Sequence, residues 1–166
     1  MLERVIKVEH PDGDFARSYD SSAEGKSTIF KWFNLKEVAD TELIRDALQH
    51  AGIFVSNLDP GAVSSMGLDG TRLRENNPGL IACSISGYGE EGESSKKKAY
   101  DFLIQAKSGV CSVTEIPESL SRVGMHLQTI SNCFTAFSAI LRALIKRRRT
   151  AVGVDLKVAV FDVLVN

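Results

Sequence analysis

Two glycines that follow an apolar segment form the first pattern able to bind a ligand. Leu80 to Ser84 is apolar, and Gly87 and Gly89 come shortly after it. Glycine adopts positive φ angles without strain, so these residues could direct backbone N–H groups towards an anion. An ordinary turn uses the same residues, and the pattern does not choose between the two interpretations.

Four consecutive cations, Lys146 to Arg149, raise the question of a nucleic-acid partner. The chain has 20 basic and 21 acidic residues and a formal net charge of −1, whereas nucleic-acid-binding domains are usually strongly basic. We interpret the four cations as a solvated face at the C-terminal end of a helix, where positive charge is favourable. We therefore predict no nucleic-acid partner.

Residues that bind metals or act as nucleophiles are sparse. Cys83, Cys111 and Cys133 are widely spaced, form no C-x-x-C pair and have no clustered histidines near them. This spacing supports neither a metal site nor a disulfide framework, and we expect three buried thiols. His126 could act as a catalyst, but no neighbour in sequence would orient its ring, and we interpret it as a capping or surface residue.

Length and composition indicate one soluble domain. The chain has 166 residues, of which 43% are apolar and 25% charged, as in ordinary globular proteins. Its apolar stretches are far shorter than the roughly 20 residues of a membrane helix. The N-terminus shows no apolar segment typical of a signal peptide. We predict a cytoplasmic protein without a membrane partner.

Apolar segments separated by helical patterns predict an α/β fold. We expect strands at Val5 to Glu9, Ile53 to Val55, Leu80 to Ser84 and Val154 to Val160. Strands that alternate with helices form parallel βαβ units. In such sheets the loops that follow the strands are where ligands bind.

The clearest helix begins at Leu127. Its apolar positions advance by steps of three and one, which is typical of one helical face; they are Ile130, Cys133, Phe134, Phe137, Ile140, Leu141, Leu144 and Ile145. We predict shorter helices at Asp40 to His50, from Thr71 to a turn at Pro78, and at Tyr100 to Ala106. Gly89 to Lys98 should be a charged loop.

A series of short motifs runs in order along nearly the whole chain. The motifs are Val5–Glu9 with Gly13-Asp14 and Arg17, Asn57–Ala62 with Met66–Leu68, Asn77-Pro78 to Leu80-Ile81, Ser84–Gly89, Ala99–Asp101, Gln105-Ala106, Ser108-Gly109, Arg122–Gly124, Ala139–Leu144, Arg149-Thr150 and Phe161-Asp162. The series resembles the family III CoA-transferases, which include formyl-CoA and carnitine CoA-transferases and the α-methylacyl-CoA racemases.

The resemblance implies an α/β fold that is an incomplete Rossmann-like domain with a mostly parallel sheet. Family members are usually more than twice as long, with a large domain built from both ends of the chain and a small domain between them. We expect residues 1–166 to be part of the large, CoA-binding domain, without the small domain. One face or edge of the sheet should then be uncovered, which favours self-association.

The resemblance also implies CoA or an acyl-CoA as substrate, and no covalently bound cofactor or metal. Position by position, the residues expected to contact CoA or line the active site are Lys36, Asn57, Leu58, Ala62, Met66, Lys98 and Tyr100. The lysines would bind phosphate or ribose, Asn57 would be a polar anchor, and the apolar residues would form a wall. The alternatives stay open: Asn57 as a turn residue, Lys98 as a solvated lysine, and Met66 as core.

Thr129 stands where transferases of the family have their nucleophilic aspartate, a few residues after Arg122–Gly124. That aspartate forms a mixed anhydride with the acyl group and then an aspartyl-CoA thioester, and a neutral hydroxyl cannot form the anhydride. No Asp or Glu occurs from Ser119 to Val154. The racemases instead use a His and Asp pair, and Tyr100 stands at the position of the His. We predict impaired catalysis and disfavour racemisation.

Three further departures from the family pattern agree with this prediction. A stretch of roughly ten residues is missing between Asn34 and Leu35, and a lost strand must be absorbed by re-pairing or by an exposed edge. His10 and Ser65 replace residues that are basic in the family.

Three hypotheses follow. The chain is a truncated and impaired transferase, whose relatives act on an acyl-CoA and a small carboxylic acid. Alternatively, it is a non-catalytic CoA-binding or interaction module, forming a homodimer or completing a partner chain. In the third hypothesis the true product is longer than this sequence.

Overall fold

The computed structural model describes residues 5–8, 37–38, 41–114, 121 and 123–165. The chain divides into two compact units, Met1–His50 and Ala51–Asn166.

The first unit contains a short parallel pair of strands and one helix. Strand β1 (Lys7–Val8) pairs with β2 (Glu37–Val38), and helix α1 spans Thr41–His50. The predicted strand at Val5 to Glu9 is therefore confirmed over two residues, and the predicted helix over ten. The predictions made for His10, for Lys36 and for the junction of Asn34 and Leu35 lie outside the described residues.

The second unit is built on a three-stranded parallel sheet of order β3-β4-β5, so the predicted parallel α/β fold is confirmed. The strands are β3 (Ile53–Ser56), β4 (Ile81–Ser86) and β5 (Asp155–Ala159). Helices α2 (Pro60–Met66) and α3 (Gly70–Asn76) connect β3 to β4. Helices α4 (Asp101–Lys107), α5 (Val110–Val113) and α6 (Leu127–Thr150) connect β4 to β5, and α7 (Val160–Val165) follows β5.

The two faces of this sheet differ in polarity. On one face, Cys83 of β4 and Val158 of β5 are buried in a cluster with Ala136 of α6. Side chains alternate between faces along a strand, and the register pairs Ser84 with Lys157 on the opposite face. The sheet therefore has an apolar face towards α6 and a polar face towards the other side.

Helix α6 buries small and polar side chains and leaves most of its large apolar side chains exposed. The buried residues of α6 are Asn132, Ala136 and Ala143, while a stripe of large apolar side chains is exposed: Ile130, Phe134, Phe137, Leu141 and Ile145. Phe134 is 68% exposed. Of the apolar positions that the spacing singled out, Ile140 packs against the buried cluster of the sheet, while these five are exposed.

Cys133 corrects a second expectation. Cys83 and Cys111 are buried as predicted, but Cys133 is exposed.

Three helices were not predicted from periodicity. Helix α2 follows Asp59, whose carboxylate Oδ1 accepts a 2.9 Å hydrogen bond from the Gly61 N–H, with Pro60 in the first helical position. These are standard signals for the start of a helix. Helices α5 and α7 have four and six residues, too few for a hydrophobic period to appear.

The amino edge of the sheet, where the strands begin, is closed by hydrogen bonds. Arg147 Nη1 donates to the carbonyl of Gly52 at 2.6 Å and to that of Gly79 at 2.9 Å. Arg74 donates to the carbonyl of Gly153 at 3.0 Å. One of the four cations interpreted as a solvated face, Arg147, is thus only partly exposed and binds the backbone that precedes two strands.

Candidate functional site

The first group of predicted residues lies where β3 ends. Asn57 and Leu58 follow the strand directly and are exposed, and the Leu58 N–H donates to Ser56 Oγ at 3.3 Å. Ala62 and Met66 lie on α2 and are partly buried. The structure therefore brings four of the predicted residues together on one loop and one short helix.

A cleft of ≈ 840 Å³ opens beside this group, over the polar face of the sheet. Its floor includes Ser84, Ser86, Asp155 and Lys157, and its walls include residues of α2 and α3. Among the predicted site residues that the structure describes, Leu58 alone lines this cleft. The cleft is lined by polar and apolar groups alike and lies next to the predicted apolar wall.

The loop after β4 requires glycine at two positions, Gly87 and Gly89, for different structural reasons. A Cβ on Gly87 would lie 2.0 Å from the Cβ of Ala99, so a close approach of two backbone segments requires glycine there. Gly89 has a φ of 85°, in the left-handed region that favours glycine. Anion binding by this loop stays a prediction.

The same loop is held to the sheet by polar and aromatic contacts. Glu90 forms an ion pair with Lys157 of β5. The ring of Tyr88 lies 5.6 Å from that of Phe161, and Lys107 Nζ lies 4.8 Å from the centre of the Tyr88 ring. Lys98 follows in this loop and is exposed. These contacts place the loop on the carboxyl edge, where the strands end.

Hydrogen bonds join the two segments that carry Tyr100 and Thr129, the second group of predicted residues. Tyr100 immediately precedes α4 and is 61% exposed, while Thr129 is exposed in the first turn of α6. Asp101 Oδ1 accepts a 3.0 Å hydrogen bond from the N–H of Gln128. Because Asp101 follows Tyr100 and Gln128 precedes Thr129, this bond brings the two predicted residues to one junction.

Sequence reasoning did not identify the network that holds this junction. Asp101 Oδ2 accepts a 2.6 Å hydrogen bond from Gln105 Nε2, and Gln105 Oε1 accepts a 3.0 Å bond from the N–H of Val123. Gln105 is fully buried. The available signal was the spacing of Asp101 and Gln105, which are four residues apart and share one face of a helix.

His126 precedes the first residue of α6. Its side chain makes no capping hydrogen bond, and it is exposed. His126 occupies the N-cap position of α6 and is exposed, as predicted, but the Asp101 carboxylate, and not the His126 side chain, binds an amide of that turn.

The electrostatics of the cleft centre on Asp155. Burial raises the pKa of this carboxyl, and nearby Glu90 raises it further, whereas Lys157, Arg74 and a hydrogen bond from Thr71 lower it. Its Oδ1 atom is buried without a hydrogen-bond partner among the described residues. A Cβ on Gly70 would lie within 2.3 Å of that oxygen, so α3 presses against the carboxyl.

Two neighbouring groups are also perturbed. Burial, and then the charge of Asp155, raises the pKa of the Cys83 thiol. The hydrogen bond to Glu90 raises the pKa of Lys157. A raised thiol pKa disfavours the reactive thiolate, so these shifts give Cys83 no nucleophilic role.

The described residues contain no group of three or more His, Cys, Asp or Glu side chains that could hold a metal ion. Nor does any helix in the described ranges have the length and apolar character needed to cross a membrane.

Comparisons with known proteins agree with this architecture. The model of the CoA-transferase family III matches residues 4–166. The chain is 32% identical over 171 residues to the acetyl-CoA:oxalate CoA-transferase of Acetobacter aceti, covering 96% of this chain and 44% of that protein. It is 31% identical over 162 residues to the succinyl-CoA:glutarate CoA-transferase of Homo sapiens, covering 90% of this chain and 37% of that one.

A solved structure shows the same fold. The CAIB/BAIF family protein from Brucella suis superposes with a TM-score of 0.87 at 31% identity, over 96% of this chain and 46% of that chain. This chain therefore spans less than half the length of these relatives. The match over residues 4–166 and the shared fold show that the chain belongs to the CoA-transferase family III.

Proposed function

We propose that this chain binds a CoA thioester at the carboxyl edge of its parallel sheet and that its capacity for CoA transfer is impaired. The relatives' names specify CoA transfer between an acyl-CoA and a carboxylic acid. The proposed substrates are therefore an acyl-CoA and a small carboxylic acid. We also propose a cytoplasmic location, and we take residues 1–166 to be part of the large domain of the family.

The proposed binding residues are those that the resemblance indicated. Asn57 would provide a polar anchor at the end of β3, and Leu58, Ala62 and Met66 an apolar wall for the pantetheine arm. Lys98 and Lys36 would neutralise phosphate charge. The exposure of Asn57, Leu58, Lys98 and Tyr100 supports this role, since a ligand can reach all four side chains.

The observation on which impairment depends is the first turn of α6. Thr129 is exposed there, and the resemblance assigns it the position of the family's nucleophilic aspartate. The carboxylate that contacts this turn belongs to Asp101, and both of its oxygens accept hydrogen bonds, from Gln128 N–H and from Gln105 Nε2. Because this carboxylate fixes the structure of the junction, we assign it no nucleophilic role. The phenol of Tyr100 gives no racemase pair with Thr129 either.

Calorimetric titration tests the binding proposal. CoA is added to the unmodified chain and to the variants Asn57→Ala and Ser138→Ala, the latter an exposed position on α6 that serves as control. We expect binding by the unmodified chain and the control, and an affinity about tenfold weaker for Asn57→Ala, equivalent to the loss of about 1.4 kcal/mol. The absence of any heat at high protein concentration would refute the proposal.

The exposed stripe on α6 favours a second candidate, an interaction module. Five large apolar side chains on one helix face form a patch of a kind that usually marks an interface. We propose that a second copy of the chain covers this stripe. Sedimentation should show a dimer that Phe134→Glu and Phe137→Glu disrupt, while the exposed control Thr135→Glu does not. A compact monomer at every concentration would contradict this proposal.

A further inference from the structure

Gln128 forms hydrogen bonds on both sides of Tyr100. Its backbone N–H donates to Asp101 Oδ1 at 3.0 Å, and its side-chain Nε2 donates to the carbonyl of Ala99 at 3.3 Å. Ala99 and Asp101 are the two chain neighbours of Tyr100. We call these two hydrogen bonds the Gln128 clamp.

The clamp is anchored in buried structure on both sides. The Asp101 carboxylate also binds Gln105, which is 0% exposed and accepts the Val123 N–H. Ala99 is in close contact with Gly87, where β4 ends. The segment that contains Tyr100 is therefore attached to the first turn of α6, to the core of α4 and to the end of a central strand.

This arrangement leaves the Tyr100 side chain free while its backbone is fixed. The side chain is 61% exposed, and Thr129 is the next residue after Gln128. A ligand group that reaches Thr129 would therefore meet a tyrosine whose position depends on Gln128. Groups held in place before a ligand arrives give more affinity, because less conformational entropy is lost on binding.

We propose that Gln128 is a positioning residue that holds Tyr100 beside Thr129, so that this pair contacts the acyl end of a bound thioester rather than its nucleotide end. The inference rests on the proposed function, since it requires that a CoA thioester binds at the carboxyl edge. In this proposal the site distinguishes an acyl-CoA from free CoA. Gln128 contributes to that distinction without touching either ligand.

The variant Gln128→Met tests this role. Methionine is of similar length and cannot donate to Ala99, and it also removes Gln128 Oε1, a buried acceptor without a partner among the described residues. We therefore expect the fold to persist. The control is Thr135→Met, an exposed position on the same helix. Affinities for acetyl-CoA and for CoA are measured by calorimetry, and the backbone order parameter of Tyr100 is measured by NMR relaxation without ligand.

In Gln128→Met, we expect the acetyl-CoA affinity to fall roughly tenfold while the CoA affinity is unchanged. The order parameter of Tyr100 should fall from about 0.85 towards about 0.6. An unchanged order parameter, or equal losses for both ligands, would overturn the role of Gln128 while leaving the proposed function intact. If the unmodified chain binds neither ligand, the proposed function is wrong, and so is the contact of the Tyr100 and Thr129 pair with a thioester.

Discussion

The two edges of the three-stranded sheet have opposite characters. At the amino edge, Arg147 and Arg74 donate hydrogen bonds to backbone carbonyls, and Gly153 approaches Leu80 so closely that no Cβ fits. At the carboxyl edge, polar and apolar side chains such as Asn57 and Leu58 are exposed beside an open cleft.

The difference indicates that the amino edge of the sheet stabilises the fold, while the carboxyl edge is accessible to a ligand. Backbone groups at the amino edge are satisfied by protein, which stabilises the fold but leaves no room for a ligand. Loops at the carboxyl edge are less enclosed, as expected where parallel sheets bind ligands. Substitutions at the amino edge should therefore change the free energy of unfolding, and those at the carboxyl edge should change binding.

The largest effect is expected at Gly153. A Cβ there would lie 1.9 Å from the backbone carbonyl oxygen of Leu80, and the strand cannot move aside without loss of sheet pairing. Gly153→Ala should lower the free energy of unfolding by about 3 kcal/mol or more, measured by urea denaturation.

Gly124 provides the matched control for that substitution. It precedes α6, and a Cβ there would meet nothing within 4 Å. Gly124→Ala should change the free energy of unfolding by less than about 0.5 kcal/mol. Equal effects at the two glycines would contradict the contrast between the edges.

Arg147 should have the next largest effect. Its guanidinium binds two carbonyls, of Gly52 and Gly79, and removing it leaves both acceptors without their charged donor. Arg147→Ala should cost about 2 kcal/mol. The control is Arg148→Ala at the exposed neighbouring position, which removes the same positive charge. It should lower the free energy of unfolding by less than about 0.5 kcal/mol. Thermal unfolding of the two variants side by side distinguishes a structural arginine from a solvated one.

Asp155 should have the smallest effect, and one that depends on pH. Burial raises its pKa above the ordinary value of 3.8, so the folded state binds its proton more tightly than the unfolded state does. The stability that this proton contributes is present below that value and is lost as the pH rises through the folded pKa.

The uncharged variant Asp155→Asn should therefore gain stability relative to the unmodified chain as the pH rises above the ordinary value of 3.8. The gain should stay below about 1 kcal/mol, because the carboxyl is partly exposed and solvent screens it. The control is the exposed Glu75→Gln in the same cleft. A loss of stability at neutral pH in Asp155→Asn would show that the charge of Asp155 is needed.

Much of the fold could be predicted because local patterns determine it. The strands at Ile53–Ser56 and Ile81–Ser86 and helix α6 follow from apolar runs and spacing. The orientation of α6 could not be predicted in this way. Its most apolar stripe is exposed, and Asn132, which is only 5% exposed, faces inward. Ala136 and Ile140 contact the buried cluster of the sheet, and hydrophobicity alone does not indicate which residues of the helix make that contact.

The candidate site, like the fold, contains residues that the sequence predicts and residues that it does not. Motifs identified Asn57, Tyr100 and Thr129, because their positions in the sequence can be compared with a family pattern. They did not identify Gln105 or Gln128, whose contribution depends on hydrogen bonds across 18 to 29 positions of the chain. Such contacts exist only once the helices have packed.

Intact-protein mass spectrometry after incubation with acetyl-CoA tests the central claim most directly. The claim is that the first turn of α6 presents Thr129 and no nucleophilic carboxylate. The account predicts that the unmodified chain keeps its own mass, with no acetyl or CoA adduct. A covalent adduct on the unmodified chain, mapped by peptide analysis to Asp101 or to any other residue of the site, would contradict it.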